Sequence, residues 1–70
     1  MSTHTSTWTV AGMTCGHCVA SVTEEIAEID GVESVDVTLE SGEVVVTSNA
    51  PLERVSVERA VSEAGYELTS

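Results

Sequence analysis

Polar and apolar residues alternate along three stretches of the chain and follow a helical period along two others. Thr5-Ser6-Thr7-Trp8-Thr9-Val10 has period two and is rich in β-formers. It predicts a strand over residues 5–10 with Trp8 and Val10 on one face. Val19, Val22, Ile26 and Ile29 then recur at spacings of 3, 4 and 3, the stripe of one amphipathic helix. That helix is expected from Gly16 to Ile29, with Glu24, Glu25 and Glu28 off the stripe and Gly31 in the left-handed C′ position. Val35, Val37 and Leu39 alternate with Ser34, Asp36 and Thr38, and Glu43-Val44-Val45-Val46-Thr47 follows across Glu40-Ser41-Gly42. This reads as an antiparallel hairpin with Gly42 in the turn. Val44 and Val46 should face inward, which turns Glu43, Val45 and Thr47 outward.

Asn49-Ala50-Pro51 breaks the sheet. Ser56 is the expected N-cap of a second helix over residues 57–64, with Val55 and Ala60 at hydrophobic-staple positions. Val57, Ala60, Val61 and Ala64 give its apolar stripe, Gly65 closes it, and Tyr66-Glu67-Leu68-Thr69 forms a last short strand. The order β-α-β-β-α-β predicts an α+β fold of the ferredoxin-like type. This is a four-stranded antiparallel sheet with two helices on one face. No linker or low-complexity stretch interrupts it, so residues 1–70 read as one domain.

Seventy residues build only a small core, so the apo fold is expected to be marginally stable. Charge changes the picture more. Twelve acidic residues face only Arg54 and Arg59, with no lysine, and the net charge is −10. That argues against nucleic acid and anionic lipid as partners. It suits a basic docking partner, solubility or tolerance of high salt, and the charge alone does not separate these. No apolar run approaches the roughly 20 residues that span a membrane, so no membrane insertion is expected. Met1 to Thr7 is polar and lacks the basic and apolar regions of a secretory signal. A cytoplasmic location is expected, where thiols stay reduced. His4 is expected to be solvated in a frayed start.

The chemistry gathers in Gly12-Met13-Thr14-Cys15-Gly16-His17-Cys18, which holds the only two cysteines, three residues apart. The expected helix start puts both sulfurs near unpaired N–H groups and the positive dipole end, which favour thiolate over thiol. A thiolate pair is a soft anionic clamp that selects Cu(I), Zn(II) or iron–sulfur clusters over hard cations. Dithiol–disulfide exchange is the rival chemistry, and two structural cysteines the plain alternative. A structural zinc site wants four ligands, which one chain does not offer; His17 is expected to be splayed away by the helix start. Met13 is either a thioether ligand or a plug beneath the loop, and the plug is favoured because Met is a common gap-filler.

Gly12-Met13-Thr14-Cys15-Gly16-His17-Cys18, in the first loop of a β-α-β-β-α-β chain, resembles the motif of the heavy-metal-associated domain. That family includes copper chaperones and the N-terminal domains of copper-exporting P-type ATPases. The resemblance runs from Trp8 to Leu68. It implies Cu(I) bound by Cys15 and Cys18, with Met13 tucked into the core and Thr14 and His17 in the surrounding loop. It also implies a role for Tyr66, the residue after the Gly that ends the second helix. Tyr66, His17 and a start at Met1 resemble free-standing bacterial or archaeal copper chaperones. The expected function is transfer of Cu(I) by ligand exchange to a partner such as a copper-exporting P-type ATPase. No substrate bond is made or broken, so no enzyme is expected. The apo chain is expected to be a monomer that copper can bridge into a dimer. Three alternatives are carried: an N-terminal domain cut from a longer ATPase, a Zn(II), Cd(II) or Hg(II) binder, and a thiol–disulfide exchange protein. A thioredoxin-like domain is longer and sets a cis-proline against its cysteines, whereas Pro51 lies before the second helix.

Overall fold

The alternation around Trp8 builds a strand longer than expected, β1 (His4–Ala11), in a computed structural model that describes residues 3–69. Met1, Ser2 and Ser70, part of the single-domain reading, lie outside the described residues. The remaining elements are α1 (Gly16–Ala27), β2 (Val32–Thr38), β3 (Glu43–Ser48), α2 (Arg54–Glu63) and β4 (Glu67–Leu68). The sheet runs β2-β3-β1-β4, and every neighbouring pair is antiparallel. Val10, Val44, Val46 and Leu68 from the sheet form one buried cluster with Val22, Ile26, Val57, Ala60 and Val61 from the helices. Both helices therefore cover the same face of a ferredoxin-like sheet.

Val44 and Val46 point inward as the alternation requires, and Ser48 continues the inward row. Burying a hydroxyl demands a partner, and the Ser48 Oγ donates to the carbonyl of Ala50 at 2.7 Å. Trp8 pairs with Val44 and packs half-buried at the core edge, its Nε1 donating to Ser6 Oγ at 3.1 Å. His4 is not frayed; it sits half-buried in β1 opposite Ser48.

The element ends depart from the sequence reading where packing outweighs local preference. The helical hydrogen bonding of α1 stops at Ala27, two residues early, and Glu28 and Ile29 donate to the carbonyls three residues back. This tighter turn keeps Ile29 against the core. Gly31 is left-handed (φ +91°), but it sits in the Ile29–Val32 turn into β2 rather than next to the helix cap. Val19 is only half-buried, because Cys18 takes the inward position with Val22 and Ile26. Leu39 lies outside β2 at the hairpin tip and is 38% exposed. Closing the turn with a Gly42 N–H to Thr38 carbonyl bond takes Leu39 out of the pleat.

The N-cap of α2 is Glu53, not Ser56, and Val55 is 52% exposed rather than stapled to Ala60. In the observed frame Leu52 and Val57 hold the staple positions, and Leu52 packs on the cluster that contains Val57. The earlier start lets the Glu53 carbonyl accept the N–H groups of Ser56 and Val57. At the other end the Tyr66 N–H donates to the Val61 carbonyl and the Gly65 N–H to that of Ser62, with Gly65 at φ +93°. This is a Schellman cap, and it aims the chain at Tyr66. β4 keeps only Glu67 and Leu68 of the expected four residues.

Candidate metal site

Three loops meet at one end of the sheet. β1 delivers the chain to Gly12, whose φ of +97° turns it into the loop before α1. The β2–β3 turn lies beside that exit, because the Val10 N–H donates to the Gly42 carbonyl at 2.8 Å. The α2–β4 connection lies on the other side, fixed by Val10 and Ala11 pairing with Leu68 and Glu67. Tyr66 is thereby set against the loop: a Cβ placed on Gly12 would come 3.3 Å from the Tyr66 Cδ1.

Cys15 is the N-cap of α1, extended at φ −157° and ψ 174°, and its carbonyl accepts the N–H groups of Cys18 and Val19. Its thiol makes no capping hydrogen bond and is exposed. Cys18, on the first turn of α1, is 8% exposed. Both thiols are free, and the sulfurs stand 3.6 Å apart. The backbone N–H of Thr14 points at the Cys18 Sγ at 3.5 Å, and the Thr14 hydroxyl lies 3.8 Å from it.

These donors set the charge state. The Cys18 thiol is lowered to about 6, first by the Thr14 N–H, then by the Tyr66 hydroxyl, against an opposing effect of burial, with further help from Cys15. Tyr66 is raised in turn, chiefly by the interaction of its hydroxyl with Cys18 and by burial. At neutral pH Cys18 is therefore a thiolate, stabilised by hydrogen bonds rather than by a neighbouring cation.

The structure brings Cys15, Cys18, Thr14 and Tyr66 together. Met13 sits half-buried against the core, and His17 is exposed on the first turn of α1. Among the described residues no cluster of three or more His, Cys, Asp or Glu could hold a metal. The pair thus offers two sulfurs and no closed four-ligand cage. With thiolate–metal bonds of about 2.3 Å, as in zinc sites, sulfurs at this separation subtend an angle of about 100°. A straight S–metal–S unit needs them about 1 Å further apart. The arrangement suits a soft ion held by two ligands with one side open.

Sequence reasoning missed the Thr14 N–H as the principal donor to Cys18, since a backbone group has no residue signature. It also missed the contact of Gly12 with Tyr66; the only available hint was a glycine directly before the motif's methionine.

The fold and this loop define a small ferredoxin-like domain with a two-cysteine site at the start of its first helix. The chain belongs to the heavy-metal-associated domain family, whose pattern matches residues 7–67. It is 42% identical to the "Copper chaperone CopZ" of Bacillus subtilis (strain 168) over 62 residues, spanning 84% of this chain and 87% of that one. It is 42% identical to the "Mercuric transport protein periplasmic component" of Pseudomonas fluorescens over 66 residues, 93% of this chain and 72% of that one. A solved structure titled "CopZ metallochaperone" superposes with a TM-score of 0.86 at 34% identity, over 94% of this chain and all of that one.

Proposed function

We propose that this domain is a cytoplasmic copper chaperone, in which Cys15 and Cys18 hold Cu(I) and pass it to a copper-transporting P-type ATPase or another acceptor. The observation that carries the reading is the sulfur pair: 3.6 Å apart, one exposed, the other held as thiolate by Thr14 and Tyr66. Two thiolates and one Cu⁺ leave a net charge of −1, and the N-terminus of α1 compensates part of it. Met13 supports the loop from below, His17 stays in solvent, and neither binds the ion.

Transfer is a ligand exchange. An acceptor thiol loses its proton and bonds copper from the open side, giving a three-sulfur intermediate. One of Cys15 or Cys18 then leaves and takes up a proton, and a second acceptor thiol displaces the other in the same way. Copper stays Cu(I) throughout, and no substrate bond changes, so the protein is not an enzyme. The apo chain is a monomer, and copper shared between two loops can bridge a dimer.

No helix among the described residues is long and apolar enough to cross a membrane. The mercuric relative supports a second reading, in which the same pair carries Hg(II), another soft ion content with two thiolates. One experiment tests transfer. The Cu(I)-loaded chain is mixed anaerobically with the metal-binding domain of a copper ATPase, and copper is followed on each protein after rapid separation. Copper on the acceptor supports the chaperone reading. Copper that stays on this chain, with Hg(II) displacing it, favours the mercuric one.

A further inference from the structure

We infer that the recess around Tyr66 receives a lysine or arginine side chain of the protein that accepts the metal. The inference rests on the chaperone reading and adds the chemistry of the partner's docking residue. Tyr66 separates two hollows. One is lined by Ala11, Gly12, Gly65, Tyr66 and Glu67, the other by Glu58, Ser62, Tyr66, Glu67 and Leu68. Gly12 and Gly65 are both exposed, and a Cβ on Gly65 would meet nothing within 4 Å. One flank of the ring is therefore open backbone, with room for an incoming side chain.

Charge decides what fits. The chain's two arginines do not line either hollow at Tyr66, whereas both hollows include Glu67 and one adds Glu58. The groove between α1 and α2 differs: there Arg59 stands among Glu25, Glu28 and Glu63. Glu58 also borders the shallow hollow on α2 that holds Arg59, so of the two carboxylates only Glu67 shares no hollow with an arginine. An aromatic ring beside carboxylates, with no cation of its own, complements an ammonium or guanidinium group. An apolar or acidic side chain would leave Glu67 unpaired.

The place gives this contact a function. The ring of Tyr66 lies against Gly12 at the start of the metal-site loop, so a cation seated there is adjacent to the thiolate pair. The loaded site carries one net negative charge, and the loop from Gly12 to Cys18 contains no lysine or arginine. A cation brought by the acceptor orients that protein over the open side of the metal. It also lessens the charge during exchange.

The test is an NMR titration of the apo chain with N-acetyl-arginine amide, and with its neutral analogue N-acetyl-citrulline amide. The amides of Gly12, Gly65 and Glu67 should shift and saturate with the arginine probe and stay still with the citrulline one. Glu58→Gln/Glu67→Gln should weaken the arginine probe about fivefold. Glu24→Gln/Asp36→Gln removes the same charge elsewhere and should change it by less than about twofold. Shifts scattered over the acidic surface, or equal losses in the two double variants, would overturn the inference. Cu(I) retention by the parent chain in a chelator competition is read separately, so failure of the copper reading and failure of the docking contact are distinguishable.

Discussion

Replacing Cys15 by Ser should separate the metal site from the fold, because Cys15 occupies an N-cap without acting as one. Its backbone already has the extended geometry of a cap, at φ −157° and ψ 174°, and its carbonyl accepts the first helical N–H groups. The thiol makes no capping bond, and it is exposed, so its loss uncovers no core. Serine is among the preferred N-cap residues because its oxygen accepts an N–H from the first turn, and thiols are poor acceptors by comparison. His17, the second residue of α1, carries an N–H of the kind such an oxygen accepts. A gain of about 0.5–1 kcal/mol follows, the lower half of the usual capping range. For a domain of this size that raises Tm by about 2–8 °C. Thermal unfolding of reduced, metal-free parent and Cys15→Ser by circular dichroism measures it. Cu(I) affinity should fall by orders of magnitude in the same variant. A Tm below that of the parent would mean instead that the Cys15 thiol helps to hold the fold.

Gly42→Ala should destabilise the chain by about 2–3 kcal/mol: φ is +74°, about 1–2 kcal/mol for a residue with a Cβ, and that Cβ would meet the Val10 carbonyl at 2.5 Å, straining a hydrogen bond worth about 1 kcal/mol. Against a total of roughly 3.5–10 kcal/mol for a 70-residue chain this is a large loss, and urea unfolding with a midpoint equal to the parent's would contradict it. Met13→Ala should cost about 1–2 kcal/mol, below the range for full burial because Met13 is half-exposed, with copper affinity of the folded fraction unchanged. A large affinity loss at unchanged stability would instead make Met13 a ligand. The Cys18 thiol is lowered from 9.0 to about 6, so its contribution to stability is full above the ordinary thiol value and is lost as pH falls through about 6. The pH profile of thiol alkylation should show one group near 6 that moves up in Tyr66→Phe, and a single titration near 9.0 would argue against the Thr14 and Tyr66 bonds.

Periodicity revealed the inward rows of this fold but not its corners. Val44 and Val46 needed only the alternation of one strand, and Val22 and Ile26 only a helical stripe. Cys15 and Cys18 at the start of a helix were legible because Gly12 and the motif precede an uninterrupted stripe. Ser56 misled because cap preference is local, whereas the start of α2 is fixed by Leu52 reaching the core from the other side of the turn. Leu39 continued the alternation of β2 on paper, yet the hairpin needs it in the turn. The place of Tyr66 against the loop depends on the Schellman cap of α2 and on β4 pairing with β1, two long-range facts with no local trace. Family resemblance pointed to Tyr66, and only the three-dimensional arrangement supplies the reason.

In the proposed function the two thiolates, and nothing else in the chain, hold Cu(I). Anaerobic Cu(I) titration against a competing chelator, with mass spectrometry of the complex, tests it on the parent and on Cys15→Ser/Cys18→Ser. One copper per parent chain, won from the chelator, and none retained by the double variant is the expected result. A double variant that competes as well as the parent would contradict it.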